Sequence, residues 1–297
     1  MSKLMIEAAR VVRREWRLLH SRDAVNFYQN MGFDVLENRE DQPADLTTPL
    51  WLNYGYWKGV DTQDKACRQL ADLLAEAAHM SRGHHVLDCG FGFAEQDFHW
   101  LATREPAHIT GVNITPLHID FAQKRIDGRG LARRMTLRLA SATDLPFPEQ
   151  TFDCVVALES AFNFDTRDDF LKEAFRVLKP GGWFAAADVL PLPGALQPPW
   201  RSLILKRFAW PVANCYDRNV YGQKLENLGF VNVCEQSIRE YVFPGFRAYA
   251  EARARGAARD AKIAIPQSDF DTVRGDLWFR ISAGIGDYAI MSGQKPR

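Results

Sequence analysis

Apolar and polar positions change rhythm several times along this chain. Residues 4–19 put Met5, Ala8, Val12, Trp16 and Leu19 on one helical face, with arginines on the other. Thr62 is placed to cap a second helix, in which Ala66, Leu70, Leu73, Leu74 and Ala77 recur at helical spacing. From residue 85, short apolar runs at 85–89, 109–114, 135–139, 152–158 and 183–190 read as strands. Residues 95–103, 116–127 and 167–178 read as the helices between them. Lys179-Pro180-Gly181-Gly182 signals a turn ahead of the fifth strand. Past residue 190 the rhythm loosens. A proline-rich connection leads to a helix over 217–229, a strand over 231–237, a charged helical stretch over 244–282 and a closing strand over 287–292.

Strand and helix in alternation predict an α/β fold, with a mostly parallel, seven-stranded sheet covered by helices on both faces. The irregular regions flank this sheet in sequence. They divide the chain into a helical and aromatic N-terminal cap or lid, 1–80, and a core, 81–297, with cap segments at about 191–216 and 244–282. Such segments suit the carboxyl edge of the sheet, where open α/β folds bind ligands.

Composition narrows the partners. Of 297 residues, 46% are hydrophobic and 25% charged, as in an ordinary globular protein. Lys and Arg balance Asp and Glu at 37 each, so no basic footprint for a nucleic-acid backbone exists. Five cysteines without a C-x-x-C pair argue against a disulfide framework or a zinc site and fit reduced thiols in a cytoplasm. The charged N-terminus lacks the apolar run of a signal peptide, and no stretch is long enough to span a membrane. The seven histidines form no ligand cluster, so no metal is expected. The helix at 4–19 is available to cap its own pocket or a neighbour's in a homo-oligomer.

The sharpest chemical signal is Val86-Leu87-Asp88-Cys89-Gly90-Phe91-Gly92-Phe93-Ala94. An apolar strand ends in an acid, and glycines two apart allow a tight turn that brings backbone close to a ligand. Glu95 stands where a dinucleotide fingerprint needs its third glycine. An acid beside the turn repels a pyrophosphate but suits the ammonium of a methionine-like ligand. Asn113, at the end of the second strand, lies 21 residues after Gly92, near where a ribose partner sits in nucleotide-binding sheets. Asp144, in Ser141-Ala142-Thr143-Asp144, reads either as an acceptor for an adenine amino group or as a turn residue.

DCGFGFAEQDFHW, GVNITPLH, SATDLPF, FDCVVALESAFNF and RVLKPGG, in this order and spacing, resemble the class I S-adenosylmethionine (SAM)-dependent methyltransferases. The likeness is nearest to natural-product methyltransferases of the erythromycin O-methyltransferase type, and runs from about Asn53 to Pro191. The resemblance implies a Rossmann-like core with SAM as cofactor. It implies that Asp88, Gly90 and Gly92 surround the methionine moiety, that Asn113 and Ile114 hold the ribose and flank the adenine, and that Thr143 and Asp144 meet the adenine edge. Leu158 would lie beneath the sulfonium, with Tyr54 and Gln96 closing over the amino-acid end. Asn113 departs from the family's usual acid, and Ala94 from its third glycine.

The segment after the fourth strand, Leu158 to Phe164, carries the candidate chemistry. Glu159 leaves an apolar run, where a carboxylate orients a hydroxyl, takes a proton or stabilises a cation; a structural carboxylate is the competing reading. Asn163 stands where the resembled O-methyltransferases generally have a histidine, and asparagine is no base. Asp188, at the end of the fifth strand, is a second candidate base. Two acceptors remain open for a lipophilic small molecule. One is a hydroxyl oxygen. The other is an alkene or prenyl carbon whose cation Glu159 and aromatic faces would stabilise, with Arg201, Lys206 and Arg207 holding a diphosphate. A SAM-binding module without catalysis is a third reading, disfavoured by Glu159 and the aromatic residues 51–57.

Overall fold

The computed structural model describes residues 49–195, 210–254 and 284–297. The elements in chain order are α1 (Gln63–Ala77), β1 (His85–Cys89), α2 (Glu95–Thr103), β2 (His108–Asn113), α3 (Pro116–Gly128), β3 (Met135–Leu139) and β4 (Phe152–Leu158). They continue with α4 (Arg167–Val177), β5 (Leu178–Pro191), α5 (Arg218–Asn227), β6 (Val231–Ser237), α6 (Arg239–Ala254) and β7 (Gly286–Gln294). Local chemistry fixes several boundaries. The side chains of Thr62, Thr166 and Asp217 each accept a hydrogen bond from the backbone three residues on, starting α1, α4 and α5.

One seven-stranded sheet in the order β3-β2-β1-β4-β5-β7-β6 carries these elements, with β7 antiparallel to both of its neighbours. Strand alternation sorts side chains between two apolar layers. Val86, Cys154, Val156, Leu158, Ala185 and Ala187 join α1, α2 and α6 on one face. Leu87, Val155, Ala157, Phe184, Ala186 and Leu190 join α4 and α5 on the other. Helix α1 buries Ala66, Cys67, Leu70, Ala71 and Leu74 in the first layer, so residues 63–77 pack as part of the sheet's helical cover.

The fold class is the expected one, with two local differences. Lys179-Pro180-Gly181-Gly182 lies inside β5 rather than ahead of it. Between the pairs Phe152↔Leu178 and Cys154↔Trp183, β4 advances two residues while β5 advances five, so the turn residues are accommodated as an excursion within a longer strand. The charged helical stretch begins earlier than the sequence indicated, at Arg239. The helix expected at 4–19 and most of the segments 191–216 and 244–282 lie outside the described residues.

Chain order reverses between β1 and β4. The crevice at their carboxyl ends is where sheets of this kind bind ligands.

Candidate active site

Asp88 and Glu159 lie at the two strand ends that form that crevice. Asp88 ends β1, pairs across to Val156 of β4, and is fully buried. Gln96, in the first turn of α2, donates from Nε2 to Asp88 Oδ2 at 2.9 Å and to the Phe91 carbonyl at 3.1 Å. Its amide therefore ties the acid to the glycine turn. Asp88 Oδ1 receives no donor from an amide, hydroxyl or cationic group. Gly90 has φ +86°, and a Cβ there would sit 2.5 Å from Ser160 Cβ, so only glycine lets this turn meet the segment after β4. Ser160 Oγ donates to the Cys89 carbonyl at 2.6 Å and locks the two strand ends together. Gly92 lies under Leu52.

Asn113 is buried at the end of β2. Its Oδ1 accepts from Thr115 N at 2.9 Å, and its Nδ2 lies 3.4 Å from His118 Nδ1. Burial pushes His118 down to about 4, so this imidazole is neutral at pH 7. The asparagine oxygen is engaged in starting α3, which leaves its amide as the group suited to a hydroxyl. Ile114 follows it, half-buried. Thr143 Oγ1 bonds to Ser141 Oγ at 2.8 Å, and Asp144 beside it is exposed at the rim.

Residues 50–57 cross the carboxyl edge of the sheet and are held by two glutamates. Leu50 N donates to Glu95 Oε1 at 2.9 Å, and Tyr54 N donates to Glu159 Oε1 at 2.7 Å. Glu95 is itself paired with the buried Arg125. The Tyr54 ring packs on Phe243 and Phe246 of α6, and Trp57 packs on Tyr249. This aromatic layer joins the segment to α6.

Glu159 follows β4 with φ +50°, a backbone conformation that side chains seldom adopt and that clusters at functional sites. Its backbone N–H donates to the Ala187 carbonyl at 2.8 Å, which ties the strained residue to β5. Its Oε1 also accepts from the Tyr288 hydroxyl at 2.6 Å. Both recorded bonds fall on Oε1, and part of the residue's surface stays open although protein surrounds it. Burial pushes the carboxyl up to about 8, against the bonds from Tyr288 and Tyr54, while the charge of Asp188 adds to the rise.

Asp188 does not join Glu159 in facing the crevice. It is fully buried, 3.0 Å from the guanidinium of Arg167, and accepts from the backbone of Phe162 and Val189 at 3.1 Å each. A buried cation and two N–H groups thus surround this candidate base. Asn163 sits buried in the short helix Ala161–Asn163, where its N–H donates to the Ser160 carbonyl. Leu158 is buried beneath this segment. Arg201, Lys206 and Arg207 lie outside the described residues.

Sequence reasoning missed Tyr288, Arg167, Asp97 and the Glu95–Arg125 pair. An acid three residues into a helix and a tyrosine in a closing strand carry no signal until the chain folds. No helix among the described residues is long and apolar enough to cross a membrane.

The fold agrees with the comparisons. Residues 87–186 match the methyltransferase domain family. The chain is 44% identical over 218 residues to erythromycin 3''-O-methyltransferase of Saccharopolyspora erythraea, covering 70% of this chain and 71% of that one. It is 28% identical over 261 residues to 27-O-demethylrifamycin SV methyltransferase of Amycolatopsis mediterranei, covering 86% and 95%. Among solved structures, the [4+2]-cyclase SpnF superposes with a TM-score of 0.67 at 22% identity, over 91% of this chain and 96% of that one. That likeness speaks for the fold alone, since one fold hosts many reactions. The chain belongs to the class I SAM-dependent methyltransferases of natural-product type and is a small-molecule methyltransferase with SAM as its methyl donor.

Proposed function

We propose that this enzyme methylates a hydroxyl oxygen of a small, largely apolar natural product, with Glu159 as the general base. The observation that carries the reading is the setting of Glu159. A strained backbone aims it at the crevice, Tyr54 and Tyr288 fix one oxygen, and the other is left for an acceptor. A carboxyl raised to about 8 is basic enough to draw a hydroxyl proton and is partly ionised near neutral pH. Both named relatives carry a numbered oxygen in their names, which favours oxygen over carbon.

Bound SAM supplies a methyl group on a sulfonium leaving group, so the protein's share is positioning and the exclusion of water. In this reading Asp88, steadied by Gln96, meets the ammonium of the donor, and the turn at Gly90 and Gly92 lets backbone approach its carboxylate. The residues present fit such a ligand. Asp88 Oδ1 lies buried without a donor from an amide, hydroxyl or cation, and an ammonium provides one. Asn113 and Ile114 serve the ribose and adenine, Thr143 and Asp144 the adenine edge, and Leu158 the floor below the sulfur. Tyr54 and Leu52 cover the site. Glu159 Oε2 accepts the proton that the hydroxyl gives up. Asn163 shapes the acceptor side without taking a proton.

The buried, unpaired thiols of Cys67, Cys89 and Cys154 favour a reducing compartment such as the cytoplasm. The experiment that tests the function is a labelled-methyl assay against alcohols, phenols and prenyl diphosphates, with the methyl located by NMR. Methylation at oxygen is expected. A methyl found on carbon overturns the reading.

A further inference from the structure

A second carboxylate lies against Asp88. Asp97, in the first turn of α2, is fully buried. Neither of its oxygens, nor Asp88 Oδ1, meets an amide, hydroxyl or cationic donor. Its hydrogen-bonding contact is Asp88 itself. Two carboxylates in contact have no hydrogen between them unless one carries a proton. The partners of Asp88 say which one does. Gln96 already donates to Asp88 Oδ2 at 2.9 Å, favouring its anion, whereas nothing comparable favours an anion at Asp97. The charged groups that bear on Asp97 are Asp88 and Glu95, both acids, and Arg125 neutralises Glu95. Across α1, Asp72, Arg68 and His99 form a separate network at the outer edge. Position in the first turn of a helix favours an anion slightly, but that gain is small beside the cost of a buried charge without a partner.

We propose that Asp97 is a neutral carboxylic acid that keeps its proton and donates a hydrogen bond to Asp88, so that Asp88 stays anionic for the ammonium of the methyl donor. The inference rests on the placement of that ammonium at Asp88. Asp97 is a positioning residue here, acting on the ligand through Asp88. The pair then carries one negative charge against one ammonium, while a second carboxylate anion would lack a partner. Burial raises both acids, which disfavours two anions side by side.

Two measurements test this. Infrared spectra at neutral pH, taken in a Glu159→Gln background to remove the carboxyl pushed up to about 8, are expected to show the C=O stretch of a protonated acid. That band should vanish on Asp97→Asn. Titration calorimetry with S-adenosylhomocysteine is expected to give near wild-type affinity for Asp97→Asn, whose amide still donates. For Asp97→Leu, which removes that donor from Asp88, the expected loss is about 10- to 100-fold. The acid limb of binding should also move to higher pH. Absence of the band, or equal losses in the Asn and Leu variants, overturns the inference; the second result means that the charge of Asp97 itself is needed. If the wild-type protein fails to bind S-adenosylhomocysteine, the placement of the ammonium falls, while the infrared band still locates the proton.

Discussion

The hydroxyl of Tyr288 donates to Glu159 Oε1 at 2.6 Å, joining the last strand to the residue that follows the fourth. The two lie 129 positions apart in sequence, and the antiparallel pairing of β7 with β5, Val189↔Tyr288, brings them together. Fixing one carboxylate oxygen from both Tyr288 and Tyr54 restricts the other to a single approach. That restriction turns a buried acid into an oriented one.

Glu159→Gln keeps the shape of the side chain and removes its basicity. Turnover is expected to fall about 10²- to 10⁴-fold, the usual worth of a general base, with S-adenosylhomocysteine affinity nearly unchanged. Single-turnover rates and calorimetry on the same preparation check this. A parallel loss of cofactor affinity would assign Glu159 a structural role instead.

Tyr288→Phe removes a hydrogen bond that favours the Glu159 anion. Its carboxyl, already pushed up to about 8, then rises further. As a base it must be ionised, so the rate increases with pH through that value, and the limb moves to higher pH in the variant. The pH dependence of kcat/KM measures the shift. An unmoved limb separates the tyrosine from the chemistry.

The same raised carboxyl bears on stability. Its folded value exceeds the unfolded one, so its contribution is fully present below about 4.5 and is lost as pH rises through about 8. Thermal unfolding followed over that window should show a smaller pH dependence in Glu159→Gln than in the wild type.

Gly90→Val is expected to abolish SAM binding. The left-handed turn and the 2.5 Å approach to Ser160 leave no room for a side chain, so the turn must move. Asp88→Ala should abolish binding by a different route, losing the acid while keeping the fold. Circular dichroism beside calorimetry distinguishes the two.

Asp188→Ala breaks the buried pair with Arg167 and leaves a guanidinium without its partner. The expected cost is about 3–5 kcal/mol, read from denaturant midpoints. With Glu159 as the proposed base, turnover of the folded fraction should stay close to that of the wild type.

Much of this enzyme is determined by sequence alone. Strand and helix periodicity depends on neighbours within a few residues, which is why β1, β3, β4 and β6 begin and end where their patterns do. The turn after β1 is likewise local: an acid, two glycines and a helix start are contiguous. Tertiary structure alone decided the surroundings of the acids. Glu159 and Asp188 look alike in sequence, each closing an apolar strand. The Arg167 guanidinium lies against one and the crevice against the other. Which acid pairs with a cation and which meets a tyrosine hydroxyl depends on partners far apart in the chain. Electrostatics in a buried site is set by what lies within a few ångströms, and only folding decides that.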